Sequence, residues 1–151
     1  AEERGQGEAI AKNLFEMMGL KTPVVSIVLG EGGSGGALGL GVCDRLAMLE
    51  NAVYSVISPR ECASILWKDA SREKEAAQVL RMTAEDLKEF GVCDDILAEP
   101  MGGAHKQPKL MAHTIPDYLL TTVGALQETS VEELLENRYH KFRKIGEFSE
   151  E

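Results

Sequence analysis

Aromatic residues are scarce, at 5% of the 151 positions, with one Trp, three Tyr and four Phe. A core with so few rings must rely on aliphatic side chains and on close backbone contacts, which fifteen glycines permit. Clustered Lys and Arg are also lacking. The net charge of −9 speaks against a nucleic-acid or anionic-membrane surface, so no partner of either kind is expected. No apolar run approaches the roughly 20 residues of a transmembrane span. The charged opening Ala1-Glu-Glu-Arg4 gives no expectation of a signal peptide. Cys43, Cys62 and Cys93 are odd in number, lack CxxC spacing and lie among apolar neighbours. They read as buried reduced thiols of a cytoplasmic protein.

The hydrophobic fraction of 44% and charged fraction of 27% suit one globular domain over residues 1–151. A chain of that size buries roughly two-thirds of its unfolded surface. It does not begin with Met and starts inside what reads as a helix already under way, so a processed product or a fragment is expected.

The chain is organised around Gly30-Glu-Gly-Gly-Ser-Gly-Gly-Ala-Leu-Gly-Leu-Gly41, in which seven of twelve residues are glycine. Before it, Val24 to Leu29 is short, uniformly apolar and rich in β-branched residues, the pattern of a buried strand. After the glycines, Ala37, Leu38 and Leu40 can open a tightly packed helix. Strand, glycine turn and helix together aim unpaired N–H groups at one point, which suits an oxyanion, a phosphate or a carboxylate.

In order, Ala1 to Leu20 is a helix, with Ile10, Leu14, Met17 and Met18 at three- and four-residue spacing and Gly19 as its stop. Arg45 to Glu50 and Val53 to Ser58 are two strands separated by Asn51 and Ala52, a gap that suits a hairpin or sharp bend rather than a crossover. Ser58, Pro59 and Glu61 form the start of a helix that continues to Trp67, with Ser58 as N-cap and Glu61 completing a capping box. The order is thus strand, tight helix, strand, strand, helix. Lys68 to Gln78 is charged and helical, and Thr83 opens a helix that stops at Gly91. Val92 to Glu99 resembles a short strand, Pro100 to His105 is a second glycine loop, and 108–127 and 130–145 are amphipathic helices.

The glycine stretch admits several readings. Gly30-x-Gly32-x-x-Gly35 fits a dinucleotide fingerprint, with Glu50 twenty residues on. Against that, about ten residues from Gly35 to the next strand is short for a crossover helix returning to a parallel sheet. Gly32-Gly-Ser34-Gly-Gly36 fits a nucleophile elbow, for which Asp94 or Asp95 and His105 follow in hydrolase order, but a glycine-rich run matches that pattern easily. A phosphate loop fails, because no Lys-Ser or Lys-Thr follows. The fourth reading uses backbone N–H groups near Gly35 and Gly36 to hold a developing anion without a side-chain nucleophile. A tight strand–helix contact that binds nothing is the remaining possibility.

Gly-Glu-Gly-Gly-Ser-Gly-Gly-Ala-Leu (30–38), Tyr-Ser-Val-Ile-Ser-Pro (54–59), Cys-Ala-Ser-Ile-Leu-Trp-Lys (62–68) and Gly-Gly-Ala-His (102–105) together resemble the carboxyltransferase alpha subunit of bacterial acetyl-CoA carboxylase. The resemblance covers essentially the whole chain and matches the C-terminal half of that subunit, its front part being missing. It implies an α/β fold of the crotonase-like (ClpP/crotonase) type, a superhelix of strand–strand–helix units followed by C-terminal helices. It also implies transfer of CO2 from carboxybiotin, on a separate biotin carboxyl carrier protein, to acetyl-CoA to give malonyl-CoA for fatty acid synthesis. The implied partners are a carboxyltransferase beta subunit, the carrier protein and biotin carboxylase. The zinc ribbon belongs to the beta subunit, so no metal is expected here. By this resemblance the backbone N–H groups of Gly35 and Gly36 polarise the carboxybiotin carbonyl; Gly32, Gly33 and Ser34 beside them are candidate substrate-lining residues, and His105 in its glycine loop reads either as a border of the biotin channel or as a loop cap. His113 and His140 read as surface residues, Trp67 as core, and Arg60 and Lys68 as solvated charges.

Overall fold

The computed structural model describes residues 2–146. After a 3-10 turn at Glu2–Arg4, Gly5 takes a left-handed φ of 74°, so the first helix, α1, spans Gln6–Met18 rather than starting at Ala1, which lies outside the described residues. It stops at Gly19, whose N–H bonds back to the Glu16 carbonyl, while the Leu20 N–H bonds to that of Met17. Ile10, Leu14, Met17 and Met18 form its half-buried face.

Next come β1 (Val25–Val28), β2 (Glu31–Gly33) and α2 (Ser34–Leu40), then β3 (Arg45–Leu49), β4 (Val53–Ser55) and α3 (Pro59–Trp67). These are two strand–strand–helix units in succession. The first strands pair in parallel, Val25 opposite Arg45. The second strands pair in parallel in a separate sheet, Gly32 opposite Tyr54. The remaining elements are α4 (Glu73–Leu80), α5 (Ala84–Glu89), β5 (Asp95–Leu97), α6 (Pro108–Gln127) and α7 (Val131–Arg143). β5 joins the first sheet, giving the order β1-β3-β5.

This topology corrects one expectation and decides between the two forms of another. The short gap after Gly35 does return the chain to a parallel strand. The crossover starts at the end of β1, detours through β2, and needs only the seven-residue α2 because the strands it joins are short. The Asn51–Ala52 gap is the sharp bend and not a hairpin: β3 and β4 belong to different sheets, and the Val53 N–H reaches the Gly30 carbonyl at 2.9 Å. The strand expected to Ser58 ends at Ser55, since Val56 and Ile57 lead into the helix cap.

Burial also moves inward by one strand. β1 is half-buried at the sheet edge, whereas central β3 is enclosed, with Leu46, Ala47, Met48 and Leu49 all at or below 3% exposure. Around them pack Ala84 and Leu87 of α5, Leu97 of β5 and Met111 of α6. A second cluster joins Cys62 and Ala63 of α3 to Ala76 of α4, with Trp67 packed at its margin. The Arg72 guanidinium lies 4.2 Å over the Trp67 ring. All three cysteines are free and buried. Burial pushes the Cys43 and Cys93 thiols above the usual range.

The local signals for helix starts hold. Ser58 and Glu61 form the full capping box, and Thr83 and Ser130 each accept from an N–H three residues on. The charged stretch after Trp67 is broken, because Lys68 turns left-handed at φ 56° and Asp69 caps a short 3-10 turn before α4. Among the described residues no helix is long and apolar enough to cross a membrane.

Candidate functional site

The glycine stretch is a strand, a strained corner and a short helix. β2 carries Gly32 and Gly33, and the chain turns at Ser34 with φ 62°, a left-handed value on a residue with a Cβ. α2 then begins with extended Gly33 as its N-cap and no side-chain cap. Gly35 and Gly36 lie in its first turn, where N–H groups have no partner within the helix.

Neighbours explain some of these glycines and not others. A Cβ on Gly32 would stand 2.7 Å from the Tyr54 ring, and one on Gly41 would collide with the Tyr54 hydroxyl. A Cβ on Gly39 would meet Asn13 of α1 at 3.4 Å, and one on Gly35 would meet Ile10 of α1 at 3.4 Å. At Gly32 and Gly41 packing demands a glycine, whereas at Gly35 and Gly39 a Cβ would make only ordinary van der Waals contact. Gly30 and Gly36 are different: both are exposed, and among the described residues a Cβ on either would meet nothing within 4 Å; of the two, only Gly36 lies in the first turn of α2.

Three openings border the stretch, one of them only at Leu38 and Gly41. A cleft of about 560 Å³ is lined by Gly32, Gly33, Ser34, Ser55, Ser58 and Met82. A groove of about 450 Å³ on the other side runs along Val28, Leu29, Gly30, Ala37 and Tyr54. Across the cleft, α3 is closed to ligands at its start, because Ser58 Oγ already accepts the Glu61 N–H at 3.2 Å. α2 has no such stopper.

Gly32, Gly33 and Ser34 therefore come together at one cleft, with Gly35 and Gly36 in the adjoining turn. His105 stands apart. It is exposed in a 3-10 turn, after Gly102 and Gly103 at φ 88° and 96°. There it lines an apolar groove of about 520 Å³ with Leu49, Pro108, Met111 and Ile115; Leu29 borders both this groove and the glycine groove. The Glu99 carboxylate holds that loop, accepting the Ala104 N–H at 2.7 Å and both the N–H and Nδ2 of Asn51 at 2.8 and 2.9 Å. Those bonds, the Ala104 N–H first, keep the Glu99 carboxyl below its ordinary pKa.

The competing readings find no support here. Asp94 is taken by the Leu46 N–H and Lys141, and Asp95 by Arg45 and Tyr118. Both lie at the amino edge of the first sheet, whereas Ser34 follows the carboxyl edge, so no acid–His–Ser array forms. The dinucleotide pattern is dispersed: Gly32 lies in a strand and Gly35 in a helix, and Glu50 accepts the Glu99 N–H at 3.1 Å. Among the described residues no group of three or more His, Cys, Asp or Glu is arranged to hold a metal. His113 and His140 are exposed on α6 and α7, and Arg60 and Lys68 are exposed as well.

Sequence reasoning missed a polar network at the amino edge of the first sheet. Arg138 of α7 is 1% exposed and pairs with Asp44, and Lys141 reaches Asp94 and the Cys43 and Asp44 carbonyls. One signal was legible: Arg138 stands four residues after buried Leu134, where the helical period calls for an apolar side chain.

A family model described as acetyl co-enzyme A carboxylase carboxyltransferase-like matches residues 1–146. The chain is 58% identical over 145 residues to the acetyl-coenzyme A carboxylase carboxyl transferase subunit alpha of Clostridium perfringens, a match covering 96% of this chain and 54% of that protein. To the subunit of the same name from Staphylococcus carnosus it is 53% identical over 151 residues, 100% of this chain and 48% of that one. The chain thus spans about half the length of the curated relatives it matches. Among solved structures, a Pseudomonas malonate decarboxylase hetero-tetramer in complex with coenzyme A superimposes with a TM-score of 0.57 at 16% identity, over 95% of this chain and 49% of that one. The transcarboxylase 12S hexamer does so with a TM-score of 0.54 at 19% identity, over 64% and 22%. At such identities the likeness is one of fold, and it identifies the paired strand–strand–helix units as the crotonase-type architecture. With the family match running through the glycine stretch and every element around it, the chain belongs to the acetyl co-enzyme A carboxylase carboxyltransferase-like family.

Proposed function

We propose that this chain is the later part of a carboxyltransferase subunit, folded as one domain, that passes CO2 from carboxybiotin to acetyl-CoA to form malonyl-CoA. Family membership supports the reaction class. The observation that carries the site is Gly36, exposed in the first turn of an uncapped helix, where among the described residues no neighbour requires a glycine. A missing side chain with no packing reason leaves room for a ligand to approach the backbone closely.

Carboxybiotin, when bound, supplies the CO2 and gathers negative charge on its ureido oxygen as the carboxyl group departs. This chain's part is to hold fixed donors at that oxygen. The Gly35 and Gly36 N–H groups do so at the positive end of α2, and no side-chain acceptor competes for them. Gly32 and Gly33 keep the cleft wall thin, Ser34 turns the chain from wall to donors, and His105 edges the neighbouring apolar groove. A carboxyltransferase beta subunit completes the site and receives the thioester, and the biotin carboxyl carrier protein and biotin carboxylase complete the enzyme in the cytoplasm.

The test uses the full-length subunit assembled with its beta partner and measures carboxyl exchange between malonyl-CoA and biotin. Gly36→Pro deletes one N–H at a first-turn position where proline is tolerated, and glycine before it relieves the usual clash. Turnover is expected to fall about 10²- to 10³-fold with assembly intact. Wild-type turnover would overturn the assignment.

A further inference from the structure

We infer that Tyr54 is a positioning residue for this reaction, its one side chain bracing the strand, the corner and the helix that present the Gly35 and Gly36 amides. This rests on the function proposed above. Tyr54 stands opposite Gly32 in the parallel pair of β4 with β2. Its ring occupies the space that a side chain on Gly32 would need, and its hydroxyl blocks the same space at Gly41. Between those points the hydroxyl donates to the Ala37 carbonyl at 3.1 Å, an oxygen that also accepts the Gly41 N–H at 2.8 Å. Tyr54 thus touches the beginning, the middle and the end of the glycine stretch.

The anchor is itself anchored. The Tyr54 N–H donates to the Met82 carbonyl at 3.0 Å, tying β4 to the segment just before α5. The hydroxyl is a donor at neutral pH, as any tyrosine is, and burial moves its ionisation further up. Between Gly32 and Ala37, two of the points Tyr54 reaches, lies Ser34 at φ 62°, and a strained residue of that kind persists only where its surroundings over-determine it. With the hydroxyl gone, α2 keeps its own hydrogen bonds but loses the link that sets its direction relative to β2, and the amides at its start shift with it.

Tyr54→Phe in the full-length subunit assembled with its partner removes the link and keeps the ring. The exchange kcat is expected to fall roughly three- to ten-fold, the scale of one lost hydrogen bond, with the malonyl-CoA KM and the amount of assembled enzyme unchanged. In a Gly36→Pro background the effect of the same change shrinks, because one of the two amides through which it acts is already gone. If Gly36→Pro is strongly impaired while Tyr54→Phe keeps wild-type kcat, or if the two losses simply multiply, the positioning role is overturned while the proposed function stands. If Gly36→Pro is fully active, the proposed function falls and the role of Tyr54 falls with it.

Discussion

Arg138 grips Asp44, 94 residues earlier, through two parallel bonds of 2.8 Å, Nε to Oδ1 and Nη2 to Oδ2. Its remaining donors go to the carbonyls of Met17, Met18, Leu20 and Thr22 at 2.8–3.3 Å. One buried guanidinium therefore satisfies the orphan carbonyls at the end of α1 and fastens that end to β3 and α7.

Arg138→Ala would leave the Asp44 charge buried beside four carbonyls deprived of their donor. The expected loss is about 3–5 kcal/mol of stability, and Arg138→Lys should recover little because an ammonium lacks the forked donor set. Urea unfolding of the full-length subunit measures this, and a loss below about 1 kcal/mol would contradict the network's role.

The glycines should separate by stability. Gly32→Ala pushes a methyl group against the Tyr54 ring at 2.7 Å and should cost about 1–3 kcal/mol. Gly36→Ala enters open space within a helix and should be neutral or stabilising by up to about 1 kcal/mol. Equal destabilisation by both would show that Gly36 is also held by packing.

Ser34→Gly relieves a left-handed φ, part of the gain being offset by the greater freedom of glycine in the unfolded chain. A net stabilisation of about 0.5–1 kcal/mol is expected in thermal unfolding. Ser34 should also remain unlabelled by a fluorophosphonate, since neither aspartate of the expected array is free.

Tyr118 gives an alkaline signature. Burial, then its 2.8 Å bond to the Asp95 carboxylate, pushes its pKa up to about 12 from an ordinary 10.0. The folded state thus holds this proton more tightly than the unfolded state. Its contribution is complete below pH 10.0 and is lost as the pH rises towards about 12. Tyr118→Phe should flatten that part of the stability curve, and an unchanged slope in pH-dependent unfolding would count against the bond.

What the sequence disclosed was mostly local. The Ser58–Glu61 box, the Thr83 and Ser130 caps and the Gly19 stop are decided within four residues, and each appears in the structure. The glycine stretch was conspicuous for the same reason. What stayed hidden depends on partners distant in the chain. Nothing in Arg45 to Ser58 reveals that its two strands enter different sheets, because that choice is made by β1 and β2. Arg138 could be suspected from its helical position, but Asp44 could not be named as its partner. Tyr54 read as an ordinary strand residue until its opposite number proved to be Gly32.

Glu99 joins two places that the chain order keeps apart. One oxygen is committed to the Asn51 bend between the sheets and the other to Ala104, beside His105. A guest that prised up the His105 turn would have to stretch or break a bond to the same carboxylate that holds the bend from which Val53 and Tyr54 emerge. Through a single carboxylate, the rim of one groove is geared to the brace behind the other.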